Sequence, residues 1–432
     1  MEEKLIRDST RAALWSSLKT DSIVFPLTML SGIVVARMLG PEYKGVQTIV
    51  LLIYSLVLPV FTFGVTGGVR YFLAQEFELK ETLVSIVGIG FFYFLVNVGV
   101  LHALEWLNLL NLEILTISGL FYLTIIGLFF YSFNNLFTRI LLSLSQFVSY
   151  NRILLAYRCS YFLMIGLVYF FYSVKIKGVI LAMVTSEGLH FCLLLYKILS
   201  KVKWRWRIDL VFIKKVHRYG IKVWLSEVLR ISNRRLDQFV LASLLPAAAL
   251  GIYAVGVTIS ELVQRIPQKI IPIFYNSVAL EAAEDQKKKL LARVHRVVVW
   301  LTCLSALPLV LVGFWLISWL YGHHFSGAYY VLICYLPGTV VYMGTRVMLQ
   351  YFSASAQLNN MSYIQLVGIG VGLPLYYFLI PIYGVIGAAL SSSVAYLLTN
   401  VVGFLLLADL RFSDMYLPRK SDWHHLRKLL KV

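Results

Sequence analysis

The chain has 432 residues, of which 59% are hydrophobic and 14% charged, and its mean hydropathy is +0.78. This excludes a soluble enzyme or binding domain and describes a polytopic membrane protein with little chain left for anything else. The formal net charge of +18 would suggest nucleic acid in a soluble chain, but here the lysines and arginines flank apolar runs and read as cytoplasmic anchors, so no nucleic-acid partner is expected.

The chain opens MEEKLIRDSTRAALWSSLK, with no cleavable signal pattern, so its first span is expected to be retained. Twelve spans are expected, at 20–38, 46–70, 83–104, 114–138, 153–173, 178–198, 218–242, 249–275, 297–320, 328–350, 362–381 and 385–408. Each is about 20 residues or more, enough to cross about 30 Å of hydrocarbon with tilt. The second ends FGVTGGVRYFL, whose Gly64, Gly67 and Gly68 allow close packing or flexing. The eighth carries Pro267 and Pro272, which break the backbone ladder. The eleventh holds Gly368, Gly370 and Gly372 before Pro374. Cys159, Cys192, Cys303 and Cys334 lie scattered in apolar runs and read as small buried residues, neither a disulfide framework nor a metal site. His323-His324 has no third ligand nearby, so no metal is expected there. Trp204, Trp206, Trp300 and Trp319 read as interfacial anchors, and the tail WHHLRKLLKV as an amphipathic cationic segment lying on the inner leaflet.

The seventh span is hidden from hydropathy by its charges, and topology restores it. With twelve crossings and a cytoplasmic N-terminus, the inner segments hold 28 lysines and arginines; the outer loops hold only Arg37, Lys44, Lys175 and Lys177. Dropping the seventh span would place the Lys287–Arg296 cluster and the basic tail outside. An internal repeat supports the same layout. At an offset of 206, Ala36 aligns with Ala242, Leu39 with Leu245, Gly45 with Gly251 and Gly178 with Gly384, while Arg139 and Arg346 match at 207. Six spans separate the copies, so the halves share one orientation. The expected fold is therefore all-α, two six-helix bundles related by a pseudo-twofold axis along the membrane normal, with a cavity between them. The expected division is 1–200 and 218–410 for the bundles, 201–217 for a basic cytoplasmic linker and 411–432 for the tail.

With the charges near the span ends counted with the loops, seven basic residues fall inside the spans, and six of them are in spans 7 and 8. Glu227, Arg230, Arg234 and Asp237 follow helical spacing on one face, and Glu261, Arg265 and Lys269 repeat the pattern at i, i+4, i+8. Arg230 lies 12 residues beyond Arg218, about 18 Å along a helix and so near the midplane. Charges at that depth are costly and mark a pathway or binding site. The bland alternative is that the cations pair with Glu227, Asp237 and Glu261 to hold the two helices together.

The stretch ARMLGPEYKGVQ, followed by a helix ending FGVTGGVRYFLAQ, resembles the opening of the polysaccharide-unit flippases (the Wzx type, acting on O-antigen and other oligosaccharide units). These belong to the multidrug/oligosaccharidyl-lipid/polysaccharide (MOP) exporter superfamily. RRLDQFVLASLLPAAALGIYAVG resembles the start of that family's second bundle, and the likeness in hydropathy and repeat covers nearly the whole chain. Twelve spans fit this branch better than the lipid II flippases, which typically carry fourteen. The resemblance implies alternating access and export of a lipid-pyrophosphate-linked sugar unit, usually on undecaprenyl, across the cytoplasmic membrane, with both termini inside. It also implies membrane lipids and polysaccharide polymerase machinery as partners.

A cationic cavity would replace water around the pyrophosphate, and arginine suits this because its planar fork bonds phosphate oxygens bidentately. The substrate-binding candidates are Arg230, Arg234 and Arg265, with Lys269 and Lys222 nearer the cytoplasmic entrance and Arg158 about two turns into span 5. Arg235 is off the stripe and reads as structural. Glu187, Glu227, Glu261 and Asp21 are the candidates for coupling to H+ or Na+, with charge compensation as the alternative; no other cofactor and no catalytic residue is expected. Two rivals stand. A multidrug exporter of the same superfamily would prefer excess acid in the cavity, whereas excess base is found. A membrane-embedded polymerase or ligase needs a sizeable outer loop with an acid/base pair, and the outer loops here are short.

Overall fold

A computed structural model describes residues 2–419 apart from 108–114, 116–118, 172–174, 203–205 and 408; for residues 2–15 and 18 the backbone alone is described. The amphipathic tail and Trp204 lie outside the described residues.

The protein is an all-helical membrane protein. Its long helices are α1 (Glu2–Leu52), α2 (Val65–Gln75), α3 (Leu79–Trp106), α4 (Phe121–Ser143), α5 (Phe147–Phe171), α6 (Lys175–Leu199), α7 (Leu210–Leu244), α8 (Ala247–Ser260), α9 (Ile270–Leu280), α10 (Glu284–Tyr321), α11 (Ala328–Ala354) and α12 (Leu358–Leu405), followed by the short α13 (Phe412–Tyr416). Among the described residues, nine helices are long and apolar enough to cross a membrane. Two of the nine contain a break and carry two expected spans each. In α1, Gly40 stands at φ 71°, which only glycine adopts cheaply, and Pro41 restarts the helix at a position where no N–H is needed. In α12, Gly384 at φ 59° separates the last two spans. The seventh expected span is α7, whose charges keep it out of the nine. These helices are consistent with the twelve expected spans.

The chain divides into two compact units, Met1–Ile231 and Ser232–Val432, and the division falls within α7. The first unit has an apolar core from α2, α3, α4, α6 and the start of α7, centred on Val69, Ile86, Phe137, Ile140, Phe212 and Val216. The second is built on α9, α10 and α11 around Phe274, Val298, Met343, Val347 and Phe352. There α13 docks on α10: Trp300 Nε1 donates to the Tyr416 carbonyl at 2.8 Å, and His295 Nδ1 lies 2.9 Å from the Met415 carbonyl.

Both second-position spans are broken, each at the place the repeat assigns. In the first unit a π-helical stretch, Ile53–Val57, and a short turn, Leu58–Val60, end in residues 61–64, where Phe63 and Gly64 are left-handed. In the second unit α8 passes into 3-10 turns, Glu261–Gln264 and Pro267–Lys269, before α9 begins. Residues 61–64 plus 206 are residues 267–270, so the break itself is repeated. The expected continuous eighth helix is thus corrected. The 3-10 turns advance about three residues per turn, which disperses the stripe expected of Glu261, Arg265 and Lys269 on an α-helix.

The cysteines also depart from expectation. None is buried: Cys192 is exposed and the other three are half-buried, all as free thiols. Lipid, being as apolar as a core, accepts a thiol on the outer face of a span. Many large apolar side chains behave likewise, Phe170, Phe171 and Trp315 among them. Trp206, Trp300 and Trp319 are exposed as well.

Candidate functional site

In the first unit α7 packs on the broken second span with backbone against backbone. A Cβ on Gly64 would stand 2.2 Å from the Gly220 carbonyl oxygen, and one on Gly68 2.5 Å from that of Val216. The break frees carbonyls, and Trp224 Nε1 donates to one of them, Val60 O, at 2.7 Å. This anchor sets the register of the next two turns of α7, which carry Glu227 and Arg230. The Arg230 guanidinium donates twice to the Glu227 carboxylate, Nε to Oε2 at 2.9 Å and Nη2 to Oε1 at 2.5 Å. The pair lies within one helix, three residues apart, so it does not tie helices together. Lys222, on the same helix, is exposed.

Facing this pair is Arg139 near the end of α4, half-buried and within electrostatic range of Arg70, Arg230, Glu227 and Tyr150. Neither Arg70 nor Arg139 has a hydrogen-bond or ion-pair partner among the described residues. Arg139 therefore feels two other arginines and one carboxylate that Arg230 already engages. Tyr150 continues the chain of polar groups, lying within range of both Arg139 and Arg158, and of Asp21, which is exposed on α1. Arg158 covers the Tyr157 ring at 4.8 Å, and its Nε is buried without a partner.

Next along this path is Glu187 of α6, buried at 7% exposure. Its carboxylate accepts from Tyr157 Oη at 2.7 Å and from Asn134 Nδ2 at 2.7 Å, so one side chain joins α4, α5 and α6. The His190 ring stacks on Tyr157 at 4.7 Å with Nδ1 3.8 Å from the carboxylate.

The second unit holds a different arrangement. Asp237 of α7 is 2% exposed and accepts from Tyr253 Oη at 2.6 Å and from the Gln238 amide at 2.7 Å. Ser392 Oγ donates to the same carboxylate at 3.4 Å and lies 3.1 Å from Tyr376 Oη. Arg235 is within range of Asp237, in keeping with its structural reading. Arg234 pairs with Glu261 at 3.6 Å, joining α7 to the turn after α8. Gln268 accepts from Arg346 at 3.5 Å. Arg265 and Lys269 are exposed and engaged within the chain.

The substrate-binding candidates thus fall in both units: Arg158, Lys222 and Arg230 in the first, Arg234, Arg265 and Lys269 in the second. Of the acids, Glu187, Glu227 and Asp21 belong to the first and Glu261 to the second. The compensating-pair alternative describes Arg234 with Glu261 and, within one helix, Arg230 with Glu227. Sequence reasoning counted Arg70 and Arg139 among the 28 inner-segment charges and missed Arg139 as a neighbour of Arg70 and Arg230. A signal existed, since Arg139 is one of the residues through which the repeat shows itself.

A family model for polysaccharide biosynthesis proteins matches residues 34–330, more than half of the chain. The chain belongs to that family. No curated protein matches the sequence. Among solved structures, this member of the polysaccharide biosynthesis family is similar to the lipid II flippase MurJ in an inward closed conformation, at a TM-score of 0.76 and 16% identity over 93% of this chain and 89% of that one. It is similar to an inward-facing multidrug resistance MATE transporter at 0.70 and 12% identity, covering 88% and 92%. A third structure, a MOP-superfamily transporter from Pyrococcus furiosus described by the reverse polarity of its binding pocket, gives 0.60 and 12% identity over 92% and 94%. At these identities the likeness establishes the fold that the chain shares with these three structures.

Proposed function

We propose that this protein is a flippase, a transporter and not an enzyme, that carries a lipid-pyrophosphate-linked oligosaccharide from the inner to the outer leaflet of the cytoplasmic membrane. The cargo is a polysaccharide repeat unit on a polyprenyl carrier, movement is by alternating access, and both termini are cytoplasmic. One observation carries the proposal: Arg139 lies within electrostatic range of two other arginines, Arg70 and Arg230, and of one carboxylate, Glu227, which Arg230 already occupies. Like charges gathered around too few counterions repel one another, and an anion among them relieves the repulsion. A diphosphate supplies charge and several acceptor oxygens at the spacing of guanidinium donors. Arg158 extends the cationic path along the same unit. Arg234, Arg265, Lys269 and Lys222 remain substrate-binding candidates, and membrane lipids and polymerase machinery the expected partners.

The test is reconstitution in liposomes with a fluorescent lipid-pyrophosphate oligosaccharide, followed to the far leaflet. Transport by the wild type that fails in Arg230→Ala supports both the cargo class and the cationic site. Export of an organic cation with no movement of the sugar lipid hands the protein to the multidrug reading.

A further inference from the structure

Four lysines and arginines are expected on the outer side of the chain, and two of them, Arg37 and Lys175, stand at one groove of the first unit. The groove lies between α1 and α5. These helices are tied towards the expected cytoplasmic end, where Asn151 Nδ2 donates to Ser16 Oγ and to Ser17 Oγ, each at 3.1 Å. At the other end a cavity of about 410 Å³ opens, lined by Val34 and Arg37 of α1 and by Ile165, Gly166, Tyr169 and Phe170 of α5. That volume is within the range of ligand pockets. The space exists because no side chain fills it: a Cβ on Gly166 would meet nothing within 4 Å. Ile165 forms a buried floor, while Phe170 is largely exposed, so the groove opens towards lipid and away from the core.

The walls are largely apolar, and both charged groups at the groove are cations. Arg37 has no hydrogen-bond or ion-pair partner among the described residues. Lys175 Nζ donates to the Tyr169 and Val168 carbonyls at 2.8 and 3.4 Å and lies 5.7 Å from the centroid of the Tyr169 ring, a wall of the groove. An ammonium has three donors, so one remains. The architecture itself does not require a cation at position 37. At the offset of 206 its counterpart is Ser243, whose hydroxyl turns back to the Phe239 carbonyl at 3.1 Å. A hydrocarbon chain gains nothing from the hydrophobic effect on leaving bulk lipid for this groove, so occupancy must be selected by packing and by charge. Two cations at the end of an apolar slot select a phosphate that carries a hydrocarbon chain.

We propose that the groove between α1 and α5 is a binding site for one anionic phospholipid of the outer leaflet. An acyl chain lies along Gly166 between Val34 and Phe170, and the phosphate sits at Arg37 and Lys175. The cargo of the transport reading is a poor occupant, because a lipid that must leave on the outer side would be held back there. The site therefore stands whether or not that cargo is right.

The test is to titrate the purified protein in detergent with dioleoyl phosphatidylglycerol and count bound lipid by native mass spectrometry, with dioleoyl phosphatidylcholine as the zwitterionic control. The wild type should retain one phosphatidylglycerol in preference to phosphatidylcholine, and equal retention of the two overturns the proposal. Arg37→Gln should weaken that binding about tenfold or more, as expected for one charge-assisted contact. Gly166→Leu fills the groove without removing either cation and should weaken it similarly; Val34→Phe should do so from the opposite wall. Gly166→Ala, whose methyl group has room, is the folding control and should bind as the wild type does. Sensitivity to Arg37→Gln with wild-type binding in both filling variants would mean cations that only reach for the membrane surface, and would overturn the groove. Displacement of the bound phosphatidylglycerol by an equal concentration of the lipid-pyrophosphate oligosaccharide would make the groove a cargo site and overturn the assignment as well.

Discussion

The two units place their buried carboxylates in exchanged positions. At the offset of 206, Glu187 corresponds to Ser393, and Asp237 corresponds to Ser31. The residues around them correspond as well: Gln47 to Tyr253, Ser186 to Ser392 and His190 to Tyr396. The repeat has preserved where the backbone breaks and where polar side chains are buried, but not which chemistry fills each place. In the first unit the acid faces a histidine and lies on a path of arginines. In the second it is enclosed by hydroxyl donors, with Tyr253 and Ser392 on its oxygens. One carboxylate is enclosed by hydroxyl donors; the other joins three helices and lies beside an imidazole. The same backbone thus serves two purposes, and the difference can be put to experiment.

The largest contrast should be in stability at the two breaks. Gly64→Ala must adopt a left-handed backbone at φ 70° and meet the Gly220 carbonyl, at a cost on the order of 3 kcal/mol. Gln264→Ala, in the right-handed turn of the second unit, should stay within about 0.5 kcal/mol. Thermal unfolding in detergent compares them, and equal losses would show that the breaks are built alike.

Arg139→Ala and Arg346→Ala are the next pair, since the repeat equates the two positions. Loss of a charge-assisted contact to diphosphate is worth about 1.5–3 kcal/mol, so Arg139→Ala should weaken sugar-lipid binding by about 10- to 100-fold. Arg346, bonded to Gln268, should matter far less to binding. Equal losses in a titration with the fluorescent lipid would remove the assignment of the anion site to the first unit.

Asp237→Asn should cost about 1–3 kcal/mol of stability, because an amide cannot accept from all the donors around it. Thermal unfolding in detergent measures it, and an unchanged midpoint would show that the surrounding hydroxyls do not depend on the carboxylate. The smallest effect belongs to Arg234→Gln. Its 3.6 Å pair with Glu261 has side chains 42% and 28% exposed, so about 1 kcal/mol or less should be lost.

Much of this organisation is visible in the sequence because membrane crossing imposes long apolar runs and puts lysine and arginine on one side. The seventh span is the instructive case. Its own charges conceal it, yet the asymmetry of the loops demands it, and α7 is there. The glycines of FGVTGGV announce a close approach, and the structure supplies its partner, Gly220. The charge stripe of the eighth span was misjudged because helical spacing was assumed to run through Pro267. Arg70 and Arg139 were assigned to loops because their distance along the chain from Arg230 says nothing of their distance in space.

The sequence by itself determined the helical class, the membrane-spanning character, the basic asymmetry and the repeat, since all of these follow from transfer energies and periodicity along one dimension. Only the tertiary structure decided which charges meet. Pairing depends on the rotation of each helix about its axis and on where its backbone breaks. Both are set by packing against neighbours, as when Trp224 reaches the freed carbonyl of Val60 and fixes the turns of α7 that bear Glu227 and Arg230.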